Sequence, residues 1–199
     1  MLRKTSLAIL VGLSFSALAS AQEGFRQHDA HVHGQVEFNI AQDGHDLLLE
    51  ITAPGADVVG FEHAPENTEQ ENQLKAAVEK LSQADLMVQI NEAAKCTIEN
   101  VSVTHTLGGE EHDDHKHHDD HEHHDDHEHH DDHGHEHDGH GAFTVEYQYH
   151  CDNVAALNAL ETDWFKQFPA TQAIQANVLT DKVQSALALS PAHNTVSLK

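Results

Sequence analysis

The chain has 199 residues, with 10 Lys and Arg against 34 Asp and Glu, a formal charge of −24, and 22 histidines. That length is about one domain, and so acidic a chain speaks against nucleic acid or an anionic membrane surface as a partner, since both need basic patches. Hydrophobic residues make up only 38%, but the deficit is local. Residues 108–141 hold no hydrophobic residue and 14 of the 22 histidines. The other 165 residues are about 46% hydrophobic, an ordinary globular composition.

Residues 1–21 read as a signal peptide. Arg3 and Lys4 give the positive start, Leu7 to Leu18 a short apolar core, and Ala19-Ser20-Ala21 a small-residue cleavage site. The alternative, a membrane anchor, wants a longer apolar run. Cleavage after Ala21 leaves an exported, soluble chain, with the bacterial periplasm as its expected compartment. Two cysteines remain, Cys96 and Cys151. In an oxidising compartment an even pair reads as one disulfide, the alternative being a thiolate metal pair.

Val36 to Ile40 alternates as a strand, Asp43-Gly44 signals a turn, and Asp46 to Ala53 resumes as a second strand before Pro54-Gly55. Asn67 or Thr68 can cap a helix with the stripe Leu74, Ala77, Val78 and Leu81. Leu86–Ile90 and Thr97–Thr106 read as strands. After the insert, Phe143, Val145, Tyr147 and Tyr149 alternate as a half-buried strand. Asp152 can cap a second helix with the stripe Val154, Leu157, Leu160, Trp164, Phe165 and Phe168. Two last strands span 173–180 and 182–190. The order strand, helix, strand, strand occurs on both sides of the insert. The expected fold is therefore α+β, with two similar halves at 22–107 and 142–199, antiparallel sheets and one main helix each. A disordered His/Asp/Glu-rich loop at 108–141 interrupts them. If 97–106 and 142–150 form an antiparallel hairpin with residue 105 opposite 142, Cys96 faces Cys151.

The insert carries a six-residue repeat beginning at His117, His123 and His129. Its histidines are His112, His115, His117, His118, His121, His123, His124, His127, His129, His130, His133, His135, His137 and His140, interleaved with 14 carboxylates between 110 and 138. Such a stretch builds no core. Neutral imidazole is the commonest protein metal ligand, and fourteen satisfy about three or four ions at about four ligands each. Many overlapping ligand sets favour moderate affinity, fast exchange and high capacity. Zn²⁺, Ni²⁺ and Cu²⁺ all suit such a set; the alternative reading is a solvated acidic linker. His28, His31 and His33 form a second candidate set, because an extended chain points His31 and His33 to one face. His63 in its loop is a further candidate ligand, though a lone loop histidine is more often structural. His105 shares parity with Val101 and Val103 and reads as partly buried, while His150 falls on the polar face with Glu146. No H-E-x-x-H, G-x-S-x-G, Walker or dinucleotide pattern appears, so a binding protein is expected rather than an enzyme.

Several of these runs together resemble one family. They are H-x-H-G at 31–34, V-V-G-F-E-H-A-P at 58–65, a cysteine leading a strand, the His/Asp/Glu insert, an aromatic strand ending at Cys151, and W-F-x-x-F-P at 164–169. The chain resembles the ZrgA-type periplasmic zinc-uptake accessory proteins. That resemblance implies several bound zinc ions, a two-half α+β fold with the histidine tract as a mobile loop, and assistance to the ZnuABC importer through its solute-binding component ZnuA. The expected function is zinc capture for import. The alternatives are a metal-storage or detoxification buffer for Zn, Ni or Cu and, less favoured, a metal-dependent hydrolase.

Overall fold

The structure, a computed structural model, describes residues 32–108 and 140–199. The expected signal peptide, His28, His31 and the tract histidines from His112 to His137 lie outside the described residues.

The two first strands, β1 (Gln35–Asp43) and β2 (Asp46–Pro54), form the expected hairpin around Asp43-Gly44. A one-turn helix α1 (Gly55–Val58) follows. The main helix α2 (Thr68–Leu81) starts where the sequence predicts, with Asn67 Oδ1 accepting the Gln70 N–H at 3.0 Å. Its stripe buries Ala77 and Leu81, with Leu74 and Val78 partly covered. The strand expected at 86–90 divides into a helical turn α3 (Ala84–Met87) and a short strand β3 (Val88–Ile90). β4 (Cys96–His105) and β5 (Ala142–Cys151) flank the insert as an antiparallel pair. Then come β6 (Ala159–Thr162), a turn of helix α4 (Trp164–Gln167), β7 (Ala173–Leu179), β8 (Gln184–Leu189) and β9 (Thr195–Ser197).

The fold is α+β, strand-rich, with one long helix and mixed pairing, but it is not two similar halves. Six strands form one sheet in the order β4-β5-β2-β1-β7-β8, interleaving elements from both sides of the insert, and β1 pairs with β7 in parallel. A second sheet, β3-β6-β9, is shared in the same way. Burial explains this. β5 turns Phe143, Val145, Tyr147, Tyr149 and Cys151 inward, all buried. A strand so apolar needs a neighbour on each side, and β2 and β4 provide them. The inner face of the large sheet meets α2, the small sheet and Trp164 in one core cluster, with the Trp164 ring edge-on to Phe38 at 5.8 Å.

The second helix expected from Asp152 does not form. A 3₁₀ turn at Val154–Ala156, β6 and α4 occupy its stretch. Asn91 Oδ1 accepts the N–H groups of Asn158 and Ala159 at 2.9 and 3.2 Å, groups that a helix would spend on its own carbonyls. Leu160 and Thr162 are then buried by alternation, as in a strand. The expected cross-link is present, Cys96 to Cys151, closing a separation of 55 residues and worth about 4 kcal/mol by chain entropy. The register holds from Cys96 to Ile98 and then shifts by one across a bulge, so His105 faces Phe143 rather than residue 142. His105 is exposed, not partly buried. Its strand is the sheet edge, and the ring rests against Phe143 at 5.7 Å.

Candidate metal centre

The topology brings three chain segments to one end of the large sheet. β2 lies between β1 and β5 and is antiparallel to both. The lead-ins to β1 and β5 therefore sit at the same end as the exit from β2. His33 lies two residues before β1, His140 two residues before β5, and Glu62 in the loop that follows β2 and α1. Their ligand atoms all fall within 4.8 Å of one another, the one such group of three or more among the described residues. Glu62 Oε2 is 2.6 Å from His140 Nδ1, and Oε1 is 3.0 Å from His33 Nε2. The two imidazoles stand edge to face, 6.3 Å between centroids, with the carboxylate between them.

The backbone that carries each of these side chains is tied to buried structure. His33 occupies a turn in which Gln35 N–H donates to Val32 O at 3.0 Å. Gly34 follows at φ +82°, a left-handed conformation that suits glycine. The Gly34 N–H donates to Asp57 Oδ1 at 2.8 Å, and its carbonyl accepts from Gln172 and Ala173. Asp57 Oδ2 accepts from the Thr171 hydroxyl at 3.0 Å, which accepts in turn from Trp164 Nε1–H at 3.0 Å. All three side chains are buried, so the turn that carries His33 is tied to the core. On the other side, Gly141 N–H donates to Glu62 O at 2.9 Å and Gly55 N–H to Gly141 O at 2.7 Å. A Cβ at Gly141 would come within 2.5 Å of Glu62 O, so only glycine allows this approach.

Electrostatics mark Glu62 as the centre of the group. Its side chain is 12% exposed, against 63% for His33 and 59% for His140. Burial raises its carboxyl, but His140 and His33 together outweigh that effect and hold it below its ordinary value of 4.5. Oε1 is shielded from solvent and has no aligned hydrogen-bond donor among the described residues. A shielded carboxylate oxygen costs free energy unless something positive meets it, and for Oε1 the neighbour in place is His33 Nε2 at 3.0 Å. Two imidazoles and a carboxylate are a common zinc ligand set, and three protein ligands leave a fourth position open.

Residues 30–198 match the family model described as ZrgA family zinc uptake protein. The chain belongs to that family. No curated protein matches it. Of the predicted ligands, the structure brings together His33 and His140, which the sequence placed in two separate sets. His63 stays apart. Its Nδ1 is 2.7 Å from Ala64 O and its ring stacks on Phe61 at 5.3 Å. Glu62, its neighbour, is the candidate ligand absent from the sequence-based set. Both residues lie in the G-F-E-H-A-P run, and only Glu62 joins the group with His33 and His140. Zinc association is what this family and this side-chain group support together.

Proposed function

We propose that this protein is an exported, non-enzymatic zinc-capture protein of the periplasm that loads zinc for import. Two features divide the work. The histidine tract supplies capacity through many exchanging ligand sets, and the His33–Glu62–His140 group supplies one ordered seat. The observation that carries the reading is Glu62, a largely buried carboxylate whose two oxygens meet two exposed imidazoles, His33 at 3.0 Å and His140 at 2.6 Å. His140 ends the tract in sequence and belongs to the seat in space, so an ion held by the tract has a covalent neighbour in the ordered site. The two exposed imidazoles and the open fourth position suit release to a partner that brings its own ligand. The resemblance to zinc-uptake accessory proteins names that partner as ZnuA, the solute-binding component of the ZnuABC importer.

The test uses the full chain with the thirteen tract histidines from His112 to His137 replaced by asparagine. Calorimetric titration with zinc should show one tight ion. His33→Ala with His140→Ala should remove it while the protein still unfolds in one cooperative thermal transition. A tight ion that survives the double change, or none in the parent, would overturn the ordered seat.

A further inference from the structure

The far end of the same sheet carries a second pair of histidines. β5 runs from the seat at its start to His150 at its end, a span of roughly 27 Å at strand rise. His45 sits in the turn just before β2, beside the Cys96–Cys151 cross-link. Its backbone carbonyl accepts the Cys151 N–H at 2.8 Å, and its Nδ1 lies 2.8 Å from Cys151 O. A carbonyl only accepts, so Nδ1 carries the proton and Nε2 keeps its lone pair. His150 Nδ1 lies 2.9 Å from Asp46 Oδ1, and that carboxylate sets the same tautomer in the neutral ring. The two rings stack at 5.6 Å between centroids, tilted by 23°.

This is the outer-shell pattern of metal-binding histidines, in which one ring nitrogen donates to a carbonyl or carboxylate and the other faces the ion. Here a carbonyl orients one ring and a carboxylate the other. The disulfide and the β2–β5 ladder hold both backbones, so little ordering entropy remains to be lost on binding. Glu99 and Asp152 add negative charge around His150, and Glu99 lies where the bulge interrupts β4. We propose that His45 and His150 form a second metal seat, for a divalent cation that prefers imidazole, with Zn²⁺, Ni²⁺ and Cu²⁺ as the class. Two protein ligands make it weaker than the His33–Glu62–His140 seat, and water completes its shell.

The test is a zinc titration of the full chain at constant pH 7.5, followed residue by residue in amide NMR spectra. The His45, Asp46 and His150 amides should shift and saturate. Those shifts should vanish with His45→Ala plus His150→Ala and persist with His33→Ala plus His140→Ala, which separates this seat from the first. Asp46→Asn keeps both imidazoles but loses the carboxylate behind His150, and should weaken the response about 10- to 100-fold. The spectrum of each variant also reports whether it is folded. Amides that stay still through tract saturation, or that shift equally in the His45/His150 variant, would overturn the proposal.

Discussion

At the scale of single residues, Glu62 and Asp57 divide the work of the proposed metal centre. Glu62 is the anionic member of the group with His33 and His140, and Asp57 fixes the turn that carries His33. Glu62 also makes an acid-sensitive contribution to stability. Its folded pKa lies below the ordinary 4.5, so the contribution is present above the unfolded value and is lost as pH falls through the folded one. In the metal-free protein, melting temperature should therefore fall more steeply below pH 4.5 than it does in Glu62→Gln. Parallel curves would show that the carboxylate is not held by the two histidines. Asp57→Asn keeps the side-chain shape but replaces one anionic acceptor oxygen with an amide that donates, so either the Gly34 N–H or the Thr171 hydroxyl proton loses its acceptor. The tight zinc affinity should drop about 10- to 100-fold, the scale for losing an orienting partner. Tract capacity should stay unchanged, as read by total zinc bound after equilibrium dialysis.

At the scale of elements, the site depends on how closely the loop after β2 approaches the start of β5. Gly141 makes that approach possible. In Gly141→Ala the new methyl meets Glu62 O at 2.5 Å and Leu107 Cγ at 2.7 Å, and the backbone contact cannot yield by rotating a side chain. Overpacking of this kind costs about 1–3 kcal/mol. Urea unfolding should show that loss, together with weaker tight-site zinc binding, because Glu62 and His140 are pushed apart. Full affinity in this variant would mean that the ligands reach the ion by side-chain motion alone. The element scale is also where the sequence reading separates from the structure. β1, β2, α2, β5, β7 and β8 were legible because a single period of apolar residues dominates each, and β4 because Ile98, Val101 and Val103 alternate in part around its bulge. The segment 154–168 was not, because Leu157, Leu160, Trp164 and Phe168 satisfy a helical spacing while the Asn91 side chain claims the backbone N–H groups that a helix needs. A contact 67 residues away in sequence leaves no trace in a local window.

At the scale of the whole molecule, a folded acidic body carries a histidine-rich insert between two paired strands. All of the buried apolar residues lie outside the insert. Replacing the tract histidines should therefore remove most bound zinc and leave thermal unfolding nearly unchanged. Protons compete with metal for neutral imidazole, and unperturbed histidine titrates at about 6.5. Zinc held by the tract should leave between about pH 7 and 5, read by dialysis at stepped pH. A flat release profile would assign the ions to carboxylates instead. Composition and spacing alone determined the histidine-rich insert, the paired cysteines, the main helix and most strands, since each is written in the chain itself. Tertiary structure decided which candidate ligands meet. His33, Glu62 and His140 are separated by up to 107 positions, yet they lie within 4.8 Å. They meet because β2 runs antiparallel between β1 and β5 and brings two strand starts and one strand exit to the same end of the sheet. Strand order follows from how all the apolar faces pack at once, and no local pattern in the sequence encodes it.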